Sequence, residues 1–532
     1  MSQPFRLNKE GLINRNKKIS FTFNGKKLFG YEGDTIASAL IANGIHLVGR
    51  SFKYHRPRGF FGAGVEEPNA KLQVEFNGHS EPNVNATEME LVEGLSATSQ
   101  NCWPSVNFDI GAINNFLKMF FPAGFYYKTF MWPKSFWYKI YEPFIRKAAG
   151  LGVASIEKDK ERYEHKFEYC DLLVTGSGPS GLASAYAAAK NGAKVILAED
   201  KPRFGGTLLT DDVSIDNLSG KDWAEKIITE LKSMPNVTVK NRSQVFGYYD
   251  HNMLVMFERV SDHLEKKSKF TPRQRLWYIR AKETILSTGS IERPIVFGNN
   301  DTPGIFLSAA AKEYMKVYGV LVGKKPLIFT NNDSAYETAL EFKKNNVEPI
   351  ILDTREEHSS ELIDEAKSKG IDIRFSHGVI VANGYKKVKS AKIGKLNKDK
   401  NSFEKIETVD CDCICVSGFW TPSVHLASQS GNKLKYEEKI DAFIPDKKKQ
   451  HETSVGAANG SFTLEESLKH GFENGSNLSA KITETKTEIS IPNVNEKKYG
   501  AHDKFWCMPL PKNENPKRFV DFQNDVSVSD IE

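Results

Sequence analysis

The sequence predicts an α/β protein with two dinucleotide-type folds and a smaller, strand-rich N-terminal domain. From residue 171 to about 480, strand-like runs alternate with helical ones, which is typical of a parallel sheet with crossover helices. Within this region, "DLLVTGSGPSGLASAYAAAKNGAKVILAED" has the glycine spacing of a dinucleotide-binding turn. Residues 19–100 instead alternate like short strands around one helix, "GDTIASALIANG".

A glycine triplet lies between a predicted strand, "DLLVT", and a predicted helix, "GLASAYAAAKNG". Gly176 permits the tight turn, Gly178 lets the backbone approach a pyrophosphate, and Gly181 lets the helix pack on the strand. The next strand, "KVILAE", ends at Glu199, which can bind ribose hydroxyls and would repel a 2′-phosphate. The alternative interpretation is a tight turn without a nucleotide.

Two later segments predict further walls of the same site. "KPRFGGTLL" places Gly205 and Gly206 in a loop just past the acid. "ETILSTGSIERPIVFGNNDTPG" predicts a strand that ends at Thr288 and Gly289, a break that also occurs beside the dinucleotide in glutathione reductase-type enzymes. An ordinary strand end is the alternative.

A second dinucleotide fold is predicted to be degenerate. "PLIFTNNDSAYETALEFKKNNVEPIILDTR" has strand, helix, strand and the terminal acid Asp353, but residues 330–334 contain no glycine. Side chains there would hold the backbone away from a pyrophosphate, and Asp333 or Ser334 is interpreted as a helix cap that fills the anion site. We therefore expect a structural role for this fold.

The loop "SVGAANGSFTLEES" bears on the choice between NAD and FAD. Flavoproteins of this architecture normally carry a Gly-Asp pair there, whose carboxylate binds the ribityl chain. This sequence has Gly456-Ala457-Ala458-Asn459, which favours NAD over FAD.

The N-terminal domain resembles the fold of two-iron ferredoxins. "RGFFGAGVEEPN" falls where the cluster loop is expected, but the ligand positions hold Phe61, Glu66 and Asn69. Such a cluster requires thiolates, so we predict a domain without a cluster.

Two further segments have two interpretations each. "GRSFKYHRPRG" contains a basic cluster, interpreted either as a solvated face or as a phosphate or partner site. Its members are Arg50, Lys53, His55, Arg56 and Arg58. An aromatic connector at about 107–150 suits either the core of a subunit interface or an internal domain joint.

Composition excludes several classes of partner. The net charge of the 532 residues is +6 and charges of both signs interleave, so we predict no nucleic-acid binding. No run of eighteen apolar residues and no signal-like start occur, which predicts a cytoplasmic protein without a membrane span. No acid–base pair accompanies either turn, so no catalytic residue is predicted. Cys411, Cys413 and Cys415 are interpreted as core thiols, with a metal site as the alternative.

Several strings together resemble the alpha subunit of heterotetrameric sarcosine oxidases, from about residue 19 to the end. They are "FKYHRPRGFFGAG", "AGFYYKTFMWP", "YEPFIRKAAGLG", "GSGPSG", "TGSIERPIVFGNNDTPG", "TNNDSAY", "SGFWTPSVHL" and "KRFVDFQNDV". The resemblance implies a Rossmann-like, two-dinucleotide-binding fold of the glutathione reductase type, with a ferredoxin-like β-grasp domain lacking cluster cysteines. Alpha subunits of that family continue into a folate-binding, aminomethyltransferase-like half, which we expect to be absent from this chain.

The resemblance also implies a function. The chain would hold NAD as a tightly bound, non-reacting cofactor within a hetero-oligomer. Sarcosine would be oxidised at FAD on a beta-type subunit, and electrons would pass to FMN shared at the subunit boundary and then to oxygen. Smaller subunits are the other implied partners. Folate chemistry is not carried over, because three alternatives stay open for the folate-binding half: a separate folate-binding chain from a split gene, a truncated reading frame, and a relative that dispenses with folate. Two alternatives stay open: a self-sufficient FAD-dependent amine or opine oxidoreductase, and a non-enzymatic assembly scaffold.

By position in the matching motifs, the resemblance assigns the remaining cofactor contacts. Those to adenosine and pyrophosphate, besides Glu199, are Pro179, Ser180, Asp200, Lys201, Gly206 and Thr207. Those to adenine are Val245 and Phe246. Those to the nicotinamide end are Gly456, Ala457, Ala458, Phe462 and Thr463.

The predicted domains follow these segments. They are a β-grasp domain at 1–106, the aromatic connector at 107–165, an NAD-binding domain at 166–320 and 410–484, the degenerate second nucleotide domain at 321–409, and a tail at 485–532.

Overall fold

The computed structural model describes residues 3–117, 130–150 and 152–532. The chain divides into two compact units. The first comprises Met1–Asp159, Arg293–Phe419 and Tyr499–Glu532, and the second comprises Lys160–Glu292 and Trp420–Lys498. Residues 118–129 of the predicted aromatic connector, with Tyr127, lie outside the described residues. Within the described ranges, no helix is long and apolar enough to cross a membrane.

The first unit begins with a five-stranded sheet of the β-grasp type. In spatial order its strands are Lys26–Glu32, Asn14–Phe23, Ser96–Ser99, Lys71–Phe76 and His79–Asn85. Ile19, Phe21 and Phe23 alternate with more exposed residues, as expected for a strand with one buried face. The helix Ile36–Ala42 begins after the capping residue Thr35 and is wholly buried.

A parallel sheet forms the second part of this unit. Its strands, in spatial order, are Ile305–Leu307, Cys413–Ser417, Pro326–Thr330, Ile350–Asp353 and Asp372–Phe375. Its helices are Ser308–Lys316, Ser334–Lys344 and Glu361–Ser368. An antiparallel sheet of His377–Gly384, Val388–Leu396 and Phe403–Asp410 precedes the strand Cys413–Ser417. The strand Pro326–Thr330 is buried throughout, which is typical of a parallel strand covered on both faces.

The other elements of the first unit are short. They are the strands Gly49–Arg50, Pro57–Arg58, Phe519–Asp521 and Val526–Ser527, the helices Glu142–Ala149 and Val528–Ile531, the 3-10 helices Ile110–Asn115 and Lys134–Phe136, and the π-helix Trp137–Tyr141. The units group the chain differently from the predicted domains. Residues 293–320 and 410–419 lie in the first unit because Ile305–Leu307 and Cys413–Ser417 pair within its parallel sheet. Residues 499–532, predicted as part of a tail, also lie there.

The second unit is built on one mixed sheet. Its strands, in spatial order, are Val237–Lys240, Val195–Ala198, Tyr163–Thr175, Gln274–Leu286, Met253–Arg259 and Ser243–Tyr249, and Glu452–Ser454 also pairs with Gln274–Leu286. Its helices are Pro179–Lys190, Gly220–Ser233, His425–Gln429 and Leu464–Thr483. The shorter elements are Ser214–Ile215, Leu218–Ser219, Ser290–Glu292, Trp420–Pro422, Leu434–Glu437, Ala442–Pro445 and Val494–Asn495, with the 3-10 helices Gly206–Leu209 and Gly456–Asn459.

Two helices of the second unit cross at backbone contact. A Cβ at Gly471 of the helix Leu464–Thr483 would lie 2.4 Å from the carbonyl oxygen of Ser180. A Cβ at Gly475 would lie 2.3 Å from the carbonyl oxygen of Ser184. These two glycines therefore fix the position of the helix Pro179–Lys190, which follows the glycine turn.

Candidate functional site

The three glycines of the turn differ in what surrounds them. Gly176 has a φ of +93°, and a Cβ there would lie 2.3 Å from the carbonyl oxygen of Ser287. A Cβ at Gly181 would lie 2.0 Å from the carbonyl oxygen of Gly176. A Cβ at Gly178, in contrast, would meet no atom within 4 Å. Packing therefore requires the first and third glycines, whereas the second borders open space at the start of the helix Pro179–Lys190, where a pyrophosphate can approach.

The carboxylate of Glu199 lies against this turn. It accepts hydrogen bonds from the Ser177 amide at 2.9 Å, the Ser177 hydroxyl at 2.5 Å and the Lys201 amide at 3.0 Å. Burial raises the pKa of Glu199, and the neighbouring Asp200 carboxylate raises it further. A buried carboxyl at the end of the second strand can bind ribose hydroxyls.

The loop after Glu199 forms a second wall. Gly205 has a φ of +123°, and its amide donates to the carbonyl oxygen of Ser177 at 3.1 Å. A Cβ at Gly206 would lie 2.9 Å from the Cα of Gly178. Gly206 and Thr207 are exposed at the start of the 3-10 helix Gly206–Leu209. The loop therefore lies close beside the open space at Gly178.

The end of the strand Gln274–Leu286 meets the turn through Ser287. Its hydroxyl donates to the carbonyl oxygens of Thr175 and Gly176 at 2.7 and 2.9 Å. Thr288 turns its hydroxyl to the carbonyl oxygen of Ser423 at 2.8 Å, and Gly289 has a φ of +70°. Ser287, rather than Thr288, therefore makes the side-chain bonds between this strand end and the glycine turn.

The loop that follows the strand Glu452–Ser454 also reaches the turn. The predicted residues there are Gly456, Ala457, Ala458, Phe462 and Thr463. Gly456 has a φ of +63°, and a Cβ there would lie 2.5 Å from the Ser180 hydroxyl. Thr463 caps the helix Leu464–Thr483 by accepting from the Glu466 amide at 3.3 Å.

The predicted adenine contacts lie on the strand Ser243–Tyr249. Val245 pairs with Met256 and Gly247 pairs with Val255, so Phe246 is the extra residue of a β-bulge. Phe246 is 45% exposed. The Ser243 amide donates to the carbonyl oxygen of Glu199 at 2.7 Å, which places the start of this strand beside the acid.

Direct contacts thus bring together the glycine turn, Glu199, the loop 205–207 and Gly456, and this combination of open backbone and buried acid fits a dinucleotide. Val245 and Phe246 are joined to the group only through the start of their strand. Sequence reasoning missed Ser177 and Ser287. Ser177 occupies the variable position between two glycines, and only the fold brings Ser287 to the turn.

The second, glycine-free turn is filled by its own side chains. Asp333 accepts from the Gly500 amide at 2.7 Å and lies 2.7 Å from the Arg355 guanidinium. Asp333 occupies the N-cap position of the helix Ser334–Lys344, one of the two positions predicted, but its side chain makes no capping hydrogen bond. The side chain of Asn332 instead accepts from the Ser334 amide at 3.0 Å. The carboxylate at this turn is therefore neutralised inside the unit.

The basic cluster at 50–58 is buried rather than solvated. Arg58 is 1% exposed, lies 2.5 Å from Asp301 and also pairs with Asp525. Arg56 lies 2.6 Å from Asp301. The expectation of a solvated face is wrong, because carboxylates distant in sequence are packed against these guanidiniums. Arg56 and Arg58 are thus each paired with carboxylates of the chain itself.

Large apolar side chains are exposed in the first unit. Trp103, Phe108, Phe116, Trp132, Tyr138 and Phe144, here called the aromatic patch, are each 68–84% exposed. An internal joint would bury such side chains, whereas an interaction site leaves them exposed in the isolated chain. The patch therefore favours the first of the two interpretations of the connector.

Two family models match parts of the chain. One described as "2Fe-2S iron-sulfur cluster binding domain" matches residues 16–102, and one described as "FAD dependent oxidoreductase" matches residues 171–251. The first range contains the β-grasp sheet, and the second contains the glycine turn. The predicted class is confirmed at this level: an α/β protein with a ferredoxin-like domain and a Rossmann-type FAD/NAD(P) oxidoreductase domain.

Similar proteins cover nearly the whole chain. The sarcosine oxidase subunit alpha of Rhizobium meliloti (strain 1021) is 42% identical over 99% of this chain and 52% of that protein. The sarcosine oxidase subunit alpha of Corynebacterium sp. (strain U-96) is 30% identical over 100% of this chain and 51% of that protein. The chain thus spans about half the length of these curated relatives.

A solved structure agrees with the fold. The L-proline dehydrogenase from P. horikoshii has a TM-score of 0.60 and 19% identity, over 91% of this chain and 77% of that chain. At this identity the likeness shows the fold alone. The two subunit alpha matches confirm the resemblance carried by the sequence strings: the chain is homologous to the N-terminal half of the sarcosine oxidase alpha subunit.

Proposed function

We propose that the chain is the NAD-holding, alpha-type part of a sarcosine oxidase-like oxidoreductase complex. The observation that carries the proposal is the open space at Gly178, bordered by Glu199 and the loop 205–207, in a chain homologous to sarcosine oxidase alpha subunits. The complex would oxidatively demethylate sarcosine with oxygen. Its products would be glycine, hydrogen peroxide, and either formaldehyde or methylene-tetrahydrofolate.

The side chains around the turn favour NAD over FAD and NADP. The 3-10 helix Gly456–Asn459 offers no carboxylate toward a flavin ribityl chain. The nearest preceding acid, Glu452, is buried and accepts a hydrogen bond from Asn432. Glu199 disfavours the 2′-phosphate that distinguishes NADP.

The residues of the site bind and orient the nucleotide. Gly178 lets the backbone approach the pyrophosphate, Glu199 accepts from ribose hydroxyls, and the exposed side chain of Phe246 would contact adenine. NAD bound here serves as a non-reacting cofactor. We assign no catalytic residue to the chain, so amine oxidation depends on a partner.

The partners follow from the same proposal. A beta-type subunit would carry FAD, FMN would be shared at the boundary, and smaller subunits would complete the complex. The aromatic patch supports this, because exposed Trp and Tyr side chains are the residues most often found as interface anchors. The buried basic cluster gives no support to a flavin-phosphate site at residues 50–58.

The first test identifies the nucleotide. The purified protein is denatured and the released nucleotide is separated and quantified, with NAD at one per chain expected. FAD at one per chain would contradict the proposal and favour the self-sufficient FAD oxidoreductase, whereas NADP would contradict the role of Glu199. An empty and dispensable site would favour the assembly scaffold.

The second test separates the chain from its complex. The chain is expressed alone and with a beta-type partner, and sarcosine-dependent peroxide is measured. Activity is expected only with the partner, and turnover by the lone chain would overturn the proposal. Trp132→Ala should weaken co-purification while bound NAD is retained, and Phe443→Ala, an exposed aromatic outside the patch, is the matched control.

A further inference from the structure

The loop that corresponds to a ferredoxin cluster loop closes around a carboxylate of the chain. Glu67 is 2% exposed. One of its oxygens accepts from the amides of Phe61 and Gly62 at 2.6 and 2.7 Å. The other accepts from the amides of Asn69 and Ala70 at 2.7 and 3.2 Å. Four backbone donors from both ends of the loop therefore converge on one side chain.

The adjacent acid extends this arrangement. Glu66 accepts from the amides of Ala63 and Gly64 at 2.7 and 2.9 Å. A Cβ at Gly62 would lie 2.5 Å from the same Glu66 oxygen, so the loop backbone is packed tightly against the carboxylate. Concave runs of backbone amides of this kind bind anions, including iron–sulfur clusters.

The residues present do not fit a two-iron cluster, although the matching family model is described as binding one. Such a cluster is held by cysteine thiolates. In the matched range 16–102 the sequence has a single cysteine, Cys102. The space inside the loop is taken by Glu67, whose bonds use the amides that would otherwise face a cluster.

The outer side of the loop binds other parts of the first unit. The carbonyl oxygen of Phe61 accepts from the Leu307 amide at 2.7 Å, and that of Gly62 accepts from the Tyr314 hydroxyl at 3.0 Å. The Phe61 ring packs edge-on against Phe522 with centroids 4.9 Å apart. The loop is thus held between the parallel sheet and the C-terminal segment of the unit.

We infer that the carboxylate of Glu67 takes the place of an iron–sulfur cluster inside this loop and holds the loop backbone in its conformation. The carboxylate gathers the amides that a cluster would gather, and it fixes Phe61 and Gly62 so that their carbonyl groups bind Leu307 and Tyr314. The edge of the domain that would transfer electrons in a ferredoxin serves here as a joint inside the first unit. This role does not depend on which nucleotide the second unit holds.

Hydrogen exchange of individual amides tests the inference. Burial raises the pKa of Glu67 to about 7, against the opposing effect of the backbone donors, so exchange is measured at pH 8. In the unaltered chain the amides of Phe61, Gly62, Asn69 and Ala70 should be protected. Fast exchange at these four positions would overturn the inference without any variant.

Two matched variants distinguish the contribution of Glu67 to amide protection from that of Glu66. Glu67→Gln keeps the size of the side chain but turns an NH2 group toward two of the four amides, so those amides should exchange on the order of tenfold faster or more. Glu66→Gln should affect only Ala63 and Gly64. Equal protection at residues 61, 62, 69 and 70 in both variants would contradict the role of Glu67.

Iron reconstitution provides a separate measurement. The unaltered protein is incubated anaerobically with ferrous iron and sulfide, desalted and reduced. No ferredoxin-like paramagnetic resonance signal should appear, and iron and acid-labile sulfide should stay far below two per chain. A stoichiometric signal would show that the loop admits a cluster and would refute the inference.

Discussion

Replacing Gly178 by alanine should empty the nucleotide site without damaging the fold. Gly178 has a φ of −65° and a ψ of −175°, a backbone conformation that any L-residue adopts. An added Cβ would meet no protein atom within 4 Å and would instead occupy the space where a pyrophosphate approaches the backbone. The matched comparison is Gly181→Ala, whose Cβ would lie 2.0 Å from the carbonyl oxygen of Gly176.

The two variants should therefore differ in free energy of unfolding. Without nucleotide, Gly178→Ala should stay within about 1 kcal/mol of the unaltered chain, since a compatible Gly→Ala change contributes roughly 0.4–1 kcal/mol. Gly181→Ala should lose about 1–3 kcal/mol or more through overpacking. At NAD concentrations about 100 times the dissociation constant, the unaltered chain should gain about 2.7 kcal/mol, and Gly178→Ala should gain almost none.

Urea unfolding with and without NAD measures these differences, and the nucleotide released on denaturation is quantified in parallel. Retention of one nucleotide per chain by Gly178→Ala would refute the assignment of the pyrophosphate to this turn. A loss of stability without nucleotide as large as that of Gly181→Ala would refute the argument from open space.

Three further predictions concern buried polar contacts. Asp301→Asn should lower the free energy of unfolding by about 3–5 kcal/mol in urea titrations, because Arg56 and Arg58 lose their shared buried carboxylate. A change below about 1 kcal/mol would contradict this role of Asp301. Burial opposes ionisation of Asp301, but the guanidiniums of Arg56 and Arg58 outweigh the effect of burial and hold the pKa of Asp301 below 3.8. The ionised carboxylate therefore contributes to stability above pH 3.8, and this contribution is lost as the pH falls through the lower pKa of the folded state. As the pH is lowered through this range, the urea midpoint of unfolding should fall less steeply in Asp301→Asn than in the unaltered chain. The same pH dependence in both proteins would exclude the pairing of Asp301 with the two arginines. Ser287→Ala should cost about 1 kcal/mol and reduce the content of bound NAD, since the hydroxyl bonds to Thr175 and Gly176 are lost. Full NAD occupancy at unchanged stability would show that these bonds do not shape the turn.

The sequence was sufficient where structure and chemistry are local. Gly176, Gly178 and Gly181 fall within six residues, and Glu199 ends the next strand, so spacing alone predicts that they meet. The absence of glycine from residues 330–334 likewise predicted a filled second turn, although the side chain of the N-cap residue Asp333 binds Arg355 rather than the helix amides.

The sequence was insufficient where partners are distant. The sequence around Arg56 and Arg58 suggested a basic surface, because their partners Asp301 and Asp525 follow more than two hundred residues later. Ser287 could not be recognised for the same reason, since it reaches Gly176 only when two parallel strands lie side by side. Glu67 had no recognisable signal, because its four partners are backbone amides.

Asp525 has a practical consequence for anyone who shortens the chain. It accepts from the amides of Lys53 and Tyr54 at 2.8 and 3.1 Å in addition to pairing with Arg58, so it belongs to the interior of the first unit. A version that ends before residue 525 would leave Arg58 buried with only part of its countercharge. Poor expression of such a version would reflect lost contacts inside the first unit and would say nothing about the nucleotide site.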